Sequence, residues 1–105
     1  MFDIDIERFA DTTTIRVVGE LDVATAPLLG DALDRLAADP PPLVVVDLAQ
    51  VSFLGSAGIG VLVQARTDLR GTGSRLVLAK APDRVARVFQ LLRLDAAFEF
   101  DPPLG

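Results

Sequence analysis

Leu43-Val44-Val45-Val46-Asp47-Leu48-Ala49-Gln50-Val51-Ser52-Phe53-Leu54-Gly55-Ser56-Ala57-Gly58-Ile59-Gly60-Val61-Leu62 is the stretch whose reading decides the fold. Its first four residues are apolar and three are β-branched, which suits a strand covered on both faces. A short polar-to-apolar crossing follows. Gly55, Gly58 and Gly60 then cluster where a strand ends and a helical pattern begins. Backbone amides point outward at such a junction, so an exposed hydroxyl there is well placed to carry negative charge. Ser56 is the residue to explain.

Upstream, Phe2, Ile4 and Ile6 alternate with Asp3, Asp5 and Glu7, the period of a strand with one wet face. Ala10-Asp11-Thr12 forms a turn, and Thr13 to Val18 reads as a second strand, antiparallel to the first because the connection is short. Gly19-Glu20-Leu21-Asp22 leaves that strand with two carboxylates close together. Thr25 is a candidate N-cap, with Pro27 in the first turn where its missing N–H is harmless. Leu28, Leu29, Ala32, Leu33 and Leu36 then extend a helix to about Ala38, stopped by Asp39 and Pro40-Pro41-Pro42.

Downstream, a second helix runs from near Ser56 to about Arg70, with Ile59, Leu62, Ala65, Arg66 and Leu69 on one face and Gly71-Thr72-Gly73 ending it. Arg75 to Ala79 is a short apolar strand. Pro82 opens a third helix through Val85, Val88, Phe89 and Leu92. Phe98-Glu99-Phe100 makes a last edge strand, before a frayed tail from Asp101 to Gly105. The order ββαβαβα, with that last strand, predicts an α/β domain. Its mixed sheet has four to five strands, the first antiparallel and the central ones parallel, under amphipathic helices.

The 105 residues predict one domain, residues 1–105, burying about 60–65% of the unfolded chain's surface. Half the residues are apolar and none is cysteine or histidine. That removes disulfides, cysteine nucleophiles, the common zinc sites and the usual acid–base side chain, and it fits a reducing cytoplasm. The net charge of −5, with nine scattered arginines and one lysine, argues against nucleic acid or an anionic membrane as partner. No apolar run approaches the ~20 residues of a membrane span. The expectation is a soluble, cytoplasmic monomer.

The glycine spacing lacks the Gly-Lys-Ser/Thr of a phosphate-binding loop and differs from the dinucleotide fingerprint. The glycines also fall wrongly for a nucleophile elbow, and the bases available to Ser56 are Asp22, Asp47 or a distant Lys80. Glu20 and Asp22 carry no pocket signature that would make them an acid–base pair. An enzyme is not expected, nor a metal or cofactor. The residues alone leave two readings of Ser56 open: a helix cap contributing ~1 kcal/mol, or a functional hydroxyl.

Three blocks carry a family resemblance: Gly19-Glu20-Leu21-Asp22, Val46-Asp47-Leu48, and Val51-Ser52-Phe53-Leu54-Gly55-Ser56-Ala57-Gly58-Ile59-Gly60-Val61-Leu62. At these separations the chain resembles STAS domains, and more narrowly the bacterial anti-sigma factor antagonists, over essentially its whole length. The family pattern at the last block is Phe-hydrophobic-Asp-Ser-Ser-Gly-Leu-Gly. Its first serine, the phosphorylated one, aligns with Ser56; its second aligns with Ala57, and its aspartate with Gly55. The resemblance implies an anti-sigma factor that is also a serine kinase as partner, and a serine phosphatase. It also implies a docking surface comprising Glu20, Asp22, Gly55, Ser56, Ala57, Gly58 and Ile59. Because Gly55 departs from the pattern, a second reading stands beside this one: a STAS interaction module without phosphorylation, in another signalling or transport assembly.

Overall fold

The computed structural model describes residues 1–104. Strands β1 (Asp3–Phe9) and β2 (Thr12–Leu21) form the expected hairpin, and α1 (Ala26–Ala38) leads to β3 (Leu43–Leu54). Helix α2 (Ser56–Gly71), β4 (Arg75–Ala79), α3 (Asp83–Leu91) and β5 (Glu99–Asp101) complete the chain. The five strands lie in the order β1-β2-β3-β4-β5, β1 antiparallel to β2 and every other neighbouring pair parallel. Because strand order repeats chain order, every crossover advances in the same direction. Right-handed connection then stacks α1, α2 and α3 on a single face of the sheet.

The core lies between that face and the helices. Ile15, Val17, Val44, Val46, Leu48, Leu76 and Leu78 from the strands meet Leu29, Leu33, Leu62, Leu69, Val85 and Phe89 from the helices, all buried. Phe89 anchors one end, meeting Phe98 and Phe100 edge-on at centroid distances of 5.3 and 5.2 Å. Helices therefore cover one face of β3 rather than both. On the other face Arg16 reaches Asp5 at 3.0 Å and Asp47 at 3.7 Å, and Lys80 lies 4.0 Å from the same Asp47 oxygen.

Two strands are longer than their sequence pattern indicates. β2 continues to Leu21, and β3 continues beside it to Leu54, with register shifts between Arg16 and Val18 and between Gly19 and Glu20. Gly19 makes the continuation feasible: its φ is +106°, and a β-carbon there would sit 2.0 Å from the Met1 carbonyl oxygen. A bulge of this kind bends a strand without ending it.

Smaller differences have equally local causes. Leu28 faces solvent, and Ala26 is buried in the first turn of α1 instead. The Pro40–Pro42 loop is tied to the start of β4, since the Arg75 amide donates to the Pro42 carbonyl and the Ser74 hydroxyl to that of Pro41. The tail is not frayed at Asp101, which ends β5 and accepts from the Lys80 amide at 2.9 Å. Leu104 packs against the core, and Gly105 lies outside the described residues. Truncating Phe89 removes the centre of the aromatic cluster. Phe89→Ala should lower the unfolding free energy by about 3–5 kcal/mol in urea titration.

Candidate functional site

The site is built where β2 and β3 end together. Glu20 pairs with Phe53 and Leu21 with Leu54, and the Gly55 amide donates to the Leu21 carbonyl at 2.9 Å. That bond holds the loop leading into α1 beside the start of α2. Glu20, Asp22, Gly55, Ser56 and Ala57 consequently share one end of the sheet. From α3, Arg84 reaches the same region, donating to the Ser52 carbonyl at 3.3 Å.

Gly55 occupies the N-cap of α2 with extended backbone (φ −96°, ψ −179°), and no side chain caps the helix. The first intrahelical bond runs from the Ile59 amide to the Gly55 carbonyl at 3.1 Å. The amides of the first turn, from Ser56 to Gly58, thus lack intrahelical acceptors, as at any helix start. Ser56 is the first helical residue and is exposed. Of the two readings of this serine, the helix cap does not hold: the cap position belongs to Gly55.

Thr25 is likewise displaced from the role its position suggests. It sits at the N-cap of α1 but makes no side-chain cap bond. Its hydroxyl instead donates to the Glu20 carbonyl and accepts from the Asp22 amide. Asp22 organises the turn: its Oδ1 accepts from the Ala24 and Thr25 amides, both at 3.0 Å, and its carbonyl accepts from Ala26. The Thr25 amide foremost, then the Thr25 hydroxyl, hold the Asp22 carboxyl below its ordinary value of 3.8, while desolvation opposes them. That hydroxyl lies 3.1 Å from Oδ1 and shares its proton between that oxygen and the Glu20 carbonyl. Asp22 shapes the loop beside Ser56 through these bonds.

The expected docking surface needs correction at two positions. Ile59 is only 7% exposed and belongs to the core. Gly58 is also buried, and a β-carbon there would lie 2.7 Å from Leu54 Cδ1 and 3.0 Å from Leu21 Cβ. It serves close packing of α2 onto the strand ends. Two apolar side chains absent from the sequence-based list stand at the surface instead: Val23, 82% exposed, and Phe53, 50% exposed. The Phe53 ring lies 3.0 Å from where a β-carbon on residue 55 would be. Glycine at 55 therefore lets this ring lie close over the loop. Val23 was legible in principle, as a bulky apolar residue between Asp22 and Ala24-Thr25, whereas Phe53 was hidden among the apolar Val51 and Leu54 of its own strand.

Asp47, a candidate base for Ser56, is committed elsewhere. Its Oδ1 accepts from the Ala49 amide at 2.9 Å, and its Oδ2 faces Arg16 and Lys80. Among the described residues, no group of three or more acidic, histidine or cysteine side chains is placed to hold a metal ion. No helix among the described residues is long and apolar enough to cross a membrane.

Fold and site together define a five-stranded α/β domain with helices on one face and an exposed serine at a strand-to-helix junction. The family model for the STAS domain matches residues 3–105, and the chain belongs to that family. It is 38% identical over 93 residues to the anti-sigma-B factor antagonist of Listeria monocytogenes, spanning 89% of this chain and 82% of that one. An anti-sigma factor antagonist from Mycobacterium paratuberculosis superposes with a TM-score of 0.87 at 31% identity, covering 95% and 85% of the two chains. The phosphorylated form of the Bacillus cell fate determinant SpoIIAA superposes with a TM-score of 0.74 at 20% identity, over 93% of this chain and 90% of its own, a likeness of fold.

The depressed Asp22 pKa has a signed consequence. Its contribution to stability is present above the unfolded carboxyl pKa and is lost as pH falls through the lower, folded one. Asp22→Ala should lower the urea midpoint at pH 7, and the gap to the unaltered protein should narrow below about pH 3.8.

Proposed function

We propose that this chain is an anti-sigma factor antagonist whose binding is switched off by phosphorylation of Ser56. The observation that carries the reading is the exposed Ser56 at the first position of α2, with no side chain capping that helix. The names of its relatives support the partner class. Unmodified, the surface formed by Ser56, Ala57, Glu20 and the apolar Val23 and Phe53 docks on the anti-sigma factor, which then releases its sigma factor.

The partner, acting as a serine kinase, transfers the γ-phosphoryl group of ATP to the Ser56 Oγ. ADP leaves, and the hydroxyl proton passes to a base of the kinase. The new group carries about −1.5 to −2 charges. A helix start tolerates such a charge within this fold, so the domain stays folded. In an interface packed around a small hydroxyl, the same group adds bulk and an ion that must be desolvated. A loss of about 2–3 kcal/mol weakens a complex roughly thirty- to a hundredfold or somewhat more. A serine phosphatase restores the binding form. ATP and magnesium belong to the kinase.

Gly55 favours a second reading, an interaction module that is not phosphorylated. The family's aspartate would cap α2 from this position, and here the Phe53 ring lies against the space its β-carbon would take. The two readings separate in one experiment. After incubation with the cognate anti-sigma kinase and ATP, intact mass should show one added phosphate on Ser56 and none on Ser56→Ala. Ser56→Asp should bind that partner at least thirtyfold more weakly by calorimetry, with an unchanged thermal midpoint. Unaltered mass together with equal affinity of Ser56→Asp would select the second reading.

A further inference from the structure

A cleft lies at the opposite end of α2 from Ser56. Arg66 and Arg70 from α2, Gly73, Ser74, Arg75 and Leu76 entering β4, and the segment Ala96–Glu99 enclose its volume of about 540 Å³. That volume falls in the range of small-molecule sites. The chain as a whole is acidic, with a net charge of −5. This cleft has the opposite sign, with three arginines against the single carboxylate of Glu99.

The three arginines are not equivalent. Arg75 is paired with Glu99 through Nη2 and, at 3.3 Å, through Nε. Arg66 and Arg70 have no carboxylate within 4.0 Å among the described residues. Arg70 in the last turn complements the negative end of the helix dipole,. That accounts for its presence, though the dipole saturates none of its five donors. Arg66 is half-buried, with its guanidinium carbon 6.0 Å from the centroid of the buried Phe98 ring. Aromatic contact holds the plane of such a group while its N–H edges remain free to donate. Leu76, Ala96 and Ala97 add a small apolar wall.

Forked donors without acceptors, held beside an apolar wall in a recess, match an oxyanion on a compact organic body. We propose that this cleft binds a small soluble organophosphate, its phosphate taken by Arg66 and Arg70 and its body lying on Leu76, Ala96 and Ala97. The site is separate from the serine loop. Arg70 stands fourteen residues beyond Ser56, roughly 21 Å along the helix.

The test uses the full chain and glycerol phosphate, with inorganic phosphate as a second probe, followed by amide chemical shifts at low ionic strength. Saturable shifts should appear at Gly73, Ser74, Leu76 and Ala97 in the millimolar range. Glycerol phosphate should bind more tightly than inorganic phosphate. Arg66→Gln combined with Arg70→Gln should weaken binding about tenfold or more, and Ser56→Asp should leave it unchanged. Glu99→Gln should tighten it, because it removes the one repulsive carboxylate and frees Arg75. This variant keeps the test decisive if the double substitution unfolds the protein. No saturable shift at millimolar probe would overturn the proposal, as would unchanged affinity in a folded double variant or weaker binding by Glu99→Gln. Attachment to phosphatidylglycerol vesicles without any binding of the soluble probes would also overturn it.

Discussion

The hydrogen bond from the Gly55 amide to the Leu21 carbonyl is the constraint on which the serine-bearing end of the molecule depends. It closes the β2–β3 ladder at its last possible rung and fixes where α2 begins. Everything around Ser56 follows from that rung. Gly58 seats the helix against Leu21 and Leu54, Ile59 turns into the core, and the Asp22 turn is held beside the serine. A strand pair ending three residues earlier would leave these loops without a common support. The serine would then have no fixed neighbours.

The same rung explains why α2 can start without a side-chain cap. The extended backbone of Gly55 is already fixed by its bond to β2, so a capping carboxylate is not needed to set the direction of the first turn. Glycine is nearly as good an N-cap as aspartate, differing by a few tenths of a kcal/mol. Losing the family's aspartate therefore has little bearing on whether the helix forms. Its effect is felt at the surface, where the Phe53 ring covers what would otherwise be a charged group.

Much of this architecture was readable in the residues, because it rests on local patterns. The valine run, the proline tract and the helical spacing of Leu62, Ala65 and Leu69 each indicate one element, and the element order then restricts the sheet. What escaped depends on contacts between segments distant in the chain. Gly19 looks like a strand end until β3 is present to continue the ladder. Thr25 looks like a cap until Asp22 is seen to take the amides. The arginine cleft was beyond reach for the same reason: Arg66, Arg75 and Phe98 belong to three elements, and no local pattern predicts their meeting. Ile59 is assigned to the docking surface by resemblance, although its helical spacing with Leu62, Ala65 and Leu69 already puts it on the buried face of α2.

The agreement between strand order and chain order bears on how the molecule comes into being on the ribosome. From β2 onward, each strand pairs with the one synthesised just before it. A growing sheet edge is therefore always ready to template the next strand, and no early strand must wait for a partner made much later. Each parallel pairing must still close a whole crossover, bringing Thr12 to Leu43 and Leu43 to Arg75, and non-local closure of this kind is slow. The hairpin and first crossover can assemble while the aromatic cluster around Phe89 is still untranslated. The serine end is built from β2, β3 and the start of α2, all of which precede the aromatic cluster in the chain.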